Sequence, residues 1–140
     1  MIFCATIQTH FNQGSSTEDL KRAVEKHMTP EMDVDKNGTM NWFFDQWVYG
    51  TDVPAYKFEY QIAANGALSG KITQSGVSKN FVMVVPIYLD FGKGWSRLGT
   101  VTMAGNSTLE VPPVKLPPGL KRAALAALND VLATSIQNIR

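Results

Sequence analysis

Asp33, Asp35 and Asn37 alternate along the chain and Gly38 follows them, the order in which the first half of an EF-hand loop offers oxygen atoms to calcium. Oxygen ligands at every second position suit a hard cation, and the glycine permits a sharp turn. Thr39 falls where such a loop uses a backbone carbonyl, apolar Met40 comes next, and Asn41 takes the ninth position. The match then stops: the twelfth position, which should bring a bidentate glutamate, is Phe44, with Asp45 one step late. Two readings of Asp33, Asp35 and Asn37 stand side by side. One is a calcium site weakened by the missing carboxylate; the other is an Asx-rich turn whose side chains cap the helix that follows.

No other residues assemble a catalytic constellation, and no catalytic residue is assigned. Zinc-dependent hydrolysis from a helix needs two histidines one turn apart, facing one metal, with a glutamate between them to activate the water. His10 and His27 have no such companions and read as structural or surface histidines. The serines lack a His–Asp arrangement, and the Gly-rich turns lack the lysine and spacing of a phosphate loop. Trp42, Trp47 and Trp95 could stack on a sugar, but their helical and strand spacing is that of core aromatics.

The net charge of +1, with acids and bases interspersed, gives no footprint for nucleic acid or for an anionic membrane, so neither is expected as a partner. Hydrophobic residues at 44% against 18% charged residues can bury a core, and 140 residues suit one sizeable domain or a small domain with a helical appendage. The single cysteine, Cys4, excludes an intrachain disulfide and leaves the compartment open. The apolar run Met1–Ile7 is too short for a signal-peptide core, and no stretch approaches the roughly 20 apolar residues of a membrane span.

The elements that must position these residues are legible. Ser15, Ser16 and Thr17 with Glu18 and Asp19 predict a helix start, running over about 17–28 to a stop at Pro30, with Glu18 pairing Arg22. A second helix is predicted over 41–49, closed by Gly50 and Pro54, where Phe43, Phe44, Trp47 and Val48 form an apolar stripe that needs a covering surface. From Tyr56 the period changes to two: Tyr56, Phe58, Tyr60 and Ile62 alternate with Lys57, Glu59 and Gln61, a strand with one dry face. Asn65-Gly66 predicts a hairpin into a partner strand carrying Leu68, Gly70 and Ile72.

Residues 81–91 and 95–103 predict two central strands, Pro86 marking a bulge or an edge. Gly105-Asn106 turns into a short strand over 108–111, and the proline-rich run 112–119 is expected to cross between sheets in extended form. Intrinsic propensity makes the alanine- and leucine-rich run 121–128 a helix. Strand signals at short spacing predict a mainly β chain, an immunoglobulin-like β-sandwich preceded by two short α-helices.

The run Asn41-Trp42-Phe43-Phe44-Asp45-Gln46-Trp47-Val48-Tyr49-Gly50-Thr51, with Pro54 after it, resembles the segment that ends the catalytic domain of zinc aminopeptidases of the membrane alanyl aminopeptidase (gluzincin) type. Ser16-Thr17-Glu18-Asp19-Leu20 resembles the start of that family's penultimate helix. The run 121–133, with Asn129-Asp130-Val131-Leu132-Ala133, resembles its closing strand and turn.

The resemblance implies a fragment: 1–54 as the helical tail end of the catalytic domain, and 55–140 as the C-terminal β-sandwich. It also implies that 121–126 is a strand despite its composition. The family's His-Glu-x-x-His helix and its Gly-x-Met-Glu-Asn strand are absent from the sequence. No cofactor is therefore expected on this chain, and zinc is expected elsewhere in the parent protein.

The function so implied is that of a non-catalytic accessory domain. It would pack against the catalytic domain of the same parent and orient it, with the stripe of Phe43, Phe44, Trp47 and Val48 joining the sandwich to the helices, each buried aromatic contributing about 1.5–3 kcal/mol. Exposed apolar surface would also favour a homodimer. The residues alone leave a rival, a free-standing immunoglobulin-like module that binds a ligand or protein through loops at one end.

Overall fold

The computed structural model describes residues 14–140; Cys4, His10 and the run Met1–Ile7 lie outside the described residues. The chain divides into two compact units, one ending at Thr51 and the other spanning Asp52–Arg140.

In the helical unit, α1 (Thr17–Lys26) begins at a capping box. The Ser16 hydroxyl oxygen accepts from the Asp19 amide at 3.2 Å, and the Asp19 carboxylate accepts from the Ser16 amide at 2.8 Å. The helix is one turn's fraction shorter than predicted because His27 closes it, its Nδ1–H donating to the Ala23 carbonyl at 2.9 Å. Arg22 pairs with Asp19 at 3.4 Å and not with Glu18. The Glu18 carboxylate instead accepts from the Tyr49 hydroxyl at 2.7 Å.

A 3₁₀ turn (Pro30–Met32) leads into the 33–39 loop and then α2 (Asn41–Trp47). The amides of Val48 and Tyr49 both donate to the Phe44 carbonyl, and a Cβ on Gly50 would lie 2.5 Å from the Gln46 carbonyl oxygen. Only glycine closes that helix without displacing its last turn.

The second unit is a β-sandwich, and the chain as a whole is mainly β. Its strands are β1 (Ala55–Ile62), β2 (Ala67–Ser75), β3 (Val82–Asp90), β4 (Trp95–Ala104), β5 (Ser107–Lys115), β6 (Arg122–Leu125) and β7 (Ser135–Ile139). One sheet has the order β5-β2-β1-β7 and the other β4-β3-β6. The core gathers Tyr56, Phe58 and Tyr60 from β1, Leu68 and Ile72 from β2, Val85, Ile87 and Leu89 from β3, and Met103 and Leu125. Lys57, Glu59 and Gln61 face water as their alternation predicts, Glu59 bridging Lys57 at 2.9 Å and Lys71 at 3.5 Å. The Asn65-Gly66 hairpin is present, with Gly66 at φ +81°.

Three segments differ from what local pattern alone predicts. The 108–111 strand extends through Pro112 and Pro113 to Lys115 without crossing to the other sheet. It can do so because β5 is an edge strand and the register shifts between Leu68 and Gly70, leaving the proline pair opposite Ser69. The 121–128 run is not the helix of its intrinsic propensity but, over Arg122–Leu125, the strand that the resemblance implied, pairing antiparallel with β3 and burying Ala123, Ala124 and Leu125. Tertiary pairing overrides propensity there, because small side chains fit beneath the opposing sheet. The strand β7, which pairs parallel with β1, has no counterpart among the predicted strands.

Pro86 lies inside the central strand β3 and is tolerated by position. Its carbonyl accepts from the Ala126 amide at 2.9 Å, and β6 ends at the preceding residue, so no reciprocal bond needs the missing N–H. The adjoining ladder to β4 is bulged between Ile87 and Tyr88.

Candidate functional site

The loop at 33–39 is held at both ends. The Met40 amide donates to the Glu25 carboxylate of α1 at 2.9 Å, and Trp42 Nε1–H donates to the Met32 carbonyl at 2.9 Å. Trp42 is thus a clasp on the backbone; like Trp47 and Trp95 it is half-buried, not the core aromatic that its spacing suggested.

Within the loop, the Asp33 carboxylate accepts from the Asn37 amide at 2.9 Å and from the Gly38 amide at 3.1 and 3.2 Å. Asn37 Oδ1 accepts from the Thr39 amide at 2.9 Å and from Thr39 Oγ1 at 2.8 Å. Lys36 at φ +54° and Gly38 at φ +71° make the left-handed turns that aim these amides inward. The loop therefore brings Asp33 and Asn37 together, while Asp35 is exposed. The two side chains satisfy the loop's own backbone and do not cap α2, whose N-cap residue Met40 has no side-chain cap bond. Among the described residues no group of three or more His, Cys, Asp or Glu is arranged to hold a metal.

The apolar residues of α2 do not share one environment. Phe44 is 2% exposed, Trp47 is half-buried, and Phe43 and Val48 remain 37% and 44% exposed. Phe43 meets both Trp42 and Phe44 edge to face, at centroid distances of 5.7 and 5.8 Å. Leu20 and Tyr49 of the same unit are also exposed.

In the sandwich, Asp90 is buried between its cross-strand partners Trp95 and Arg122. The Gly92 amide donates to its carboxylate at 2.7 Å and Arg122 Nε–H at 2.9 Å. These two bonds, that of Gly92 first, hold the Asp90 carboxyl below the usual carboxylate range against the opposing effect of desolvation. The Arg122 guanidinium also stacks on Trp95, 4.5 Å from the ring centroid.

On β3, the Tyr88 hydroxyl donates to Asp130 at 2.5 Å, and that bond raises the Tyr88 pKa. It pins the β6–β7 loop, in which Leu128 and Leu132 are 59% and 60% exposed while Val131 enters the core. Sequence reading missed this contact, since nothing in the spacing of Tyr88 and Asp130 announces that they meet. An open groove on the outer face of the four-stranded sheet is lined by Glu59, Lys71, Glu110, Pro112, Ile139 and Arg140. Among the described residues no helix is long and apolar enough to cross a membrane.

Comparison with models of protein families, with curated proteins and with solved structures gives no match.

Proposed function

We propose that this chain is the non-catalytic C-terminal part of a zinc-dependent metallopeptidase of the aminopeptidase type, packing against and orienting a catalytic domain that lies outside these residues. The observation that carries the reading is the helix α2. It opens the run Asn41–Thr51 on which the resemblance rests, and Phe43 on it and Val48 just after it are exposed. Uncovered apolar side chains beside a buried one are what an interface missing its other half presents. Among the described residues, His27 is engaged at the end of α1, and no group of three or more His, Cys, Asp or Glu is arranged to hold zinc. No catalytic step is assigned to this chain.

The test has two parts. Upstream sequence in the same reading frame should encode a His-Glu-x-x-His helix, and the isolated chain should release no amino acid from aminoacyl substrates with or without added zinc. Turnover that is present with zinc and lost on chelation would overturn the non-catalytic assignment. A frame that begins at Met1 would overturn the parent.

A second reading is favoured by Leu128 and Leu132, which a pinned loop holds out at one end of the sandwich. In that reading the chain is a free-standing immunoglobulin-like module, and the leucine pair meets a protein partner. Substituting both leucines by serine would abolish capture of that partner.

A further inference from the structure

We propose that the 33–39 loop modifies itself, closing Asn37 onto the Gly38 nitrogen to form a succinimide that water opens to aspartate or isoaspartate. Asn-Gly pairs are prone to this reaction because glycine leaves the following nitrogen unhindered, and asparagine is accordingly a thermolabile residue. The surroundings of the reacting atoms single out Asn37.

The Gly38 N–H, which must lose its proton before it can attack, donates to both oxygens of the Asp33 carboxylate at 3.1 and 3.2 Å. The carbonyl under attack, through Asn37 Oδ1, accepts two donors at once, the Thr39 amide at 2.9 Å and Thr39 Oγ1 at 2.8 Å. A base on the nucleophile and two donors on the oxygen that gains charge are the parts from which acyl-transfer sites are built. Chain connectivity supplies the proximity.

The steps balance. The proton of Gly38 N–H passes to Asp33, the nitrogen bonds to Cγ of Asn37, and Oδ1 takes the negative charge under the two Thr39 donors. Collapse of that centre expels Nδ2 as ammonia, carrying the proton back from Asp33, and leaves the five-membered imide. One water then adds to either imide carbonyl, giving aspartate or isoaspartate. Asn37 and Gly38 are exposed, so water reaches the ring.

Asn65-Gly66 is the internal control. There the Gly66 amide donates to the Ala63 carbonyl, which is no base, and Asn65 Oδ1 accepts only the Ala67 amide at 3.1 Å. The same dipeptide lacks both the proton acceptor and the second donor.

The experiment incubates the folded chain at neutral pH and follows both sites by peptide mapping for the mass gain of deamidation. Hydroxylamine, which cleaves the backbone at a succinimide, is the second readout. We expect Asn37 to convert about tenfold faster than Asn65 in the folded chain, with the two rates converging in urea. Thr39→Val and Asp33→Asn should each slow conversion at Asn37 about tenfold while leaving Asn65 and the urea rates unchanged. Should Asp33→Asn unfold the loop, Thr39→Val decides. Folded-state conversion at Asn37 no faster than at Asn65, or a rate that Thr39→Val leaves untouched, would overturn the proposal.

Discussion

The Tyr56 hydroxyl donates a 2.7 Å hydrogen bond to Gln74 Oε1 across the β1–β2 register, inside the sandwich, and Gln74 Nε2 in turn donates to the Gly105 carbonyl at 2.8 Å. Both residues are almost fully buried, at 2% and 1% exposure. A polar chain at that depth stabilises the fold only while each member keeps its partner.

Tyr56→Phe leaves Gln74 Oε1 without its donor, and we expect a loss of about 1–3 kcal/mol in urea unfolding. Gln74→Leu should lose at least as much, because it orphans both the Tyr56 hydroxyl and the Gly105 carbonyl. Burial also pushes the Tyr56 pKa far above the ordinary tyrosine value. With the folded pKa raised, this contribution is intact below the unfolded value of about 10 and declines as pH rises beyond it. Tyr56→Phe should therefore flatten the alkaline limb of the stability curve, which thermal melts between neutral and strongly alkaline pH would measure.

Asp90 acts at the other end of the pH scale. Its folded pKa is depressed by the Gly92 amide and the Arg122 guanidinium. Its contribution is present above the unfolded value of about 3.9 and is lost as pH falls through the lower folded value. Asp90→Asn should lower the melting temperature at neutral pH and reduce its dependence on pH below about 4.

Gly70 packs where no side chain fits. A Cβ there would collide with the Glu59 carbonyl oxygen and lie 2.9 Å from Tyr60 Cα. Gly70→Ala must push β2 off β1, and we expect it to destabilise by about 1–3 kcal/mol in denaturant unfolding, whereas Gly99→Ala, with open space at its Cβ, should be tolerated.

Removing the Tyr88 hydroxyl frees Asp130. Tyr88→Phe should leave the strands intact and raise protease cleavage and amide exchange between Leu128 and Leu132, because that loop has lost a tether while keeping its exposed side chains.

Much of the fold could be read from local pattern, and the parts that could not are those decided at long range. The period-two run from Tyr56 to Ile62 and the Asn65-Gly66 turn carry their structure in their own residues. Ala123 and Ala124 do not: nothing local makes them a strand, and only the unsatisfied edge of β3 does so. Ser135–Ile139 was illegible for a related reason, since it is short, largely exposed and paired to a strand some eighty residues earlier. In the 33–39 loop, the alternation of Asp33, Asp35 and Asn37 announced oxygen atoms turned toward one centre. That the centre would be the amides of Asn37, Gly38 and Thr39 depends on the left-handed backbone at Lys36 and Gly38. Gly38 was visible in the sequence as a turn former, but Lys36 was not.

Pro112 and Pro113 stand on the outermost strand of the four-stranded sheet. Successive backbone groups point to opposite sides of a strand, so the pair removes one donor from the inner ladder, where the shifted register absorbs the loss, and one from the free rim. A foreign strand arriving at that rim finds a gap in the row of N–H groups it would need. The border of the sheet is closed to growth at that point, which guards the chain against templated fibril assembly.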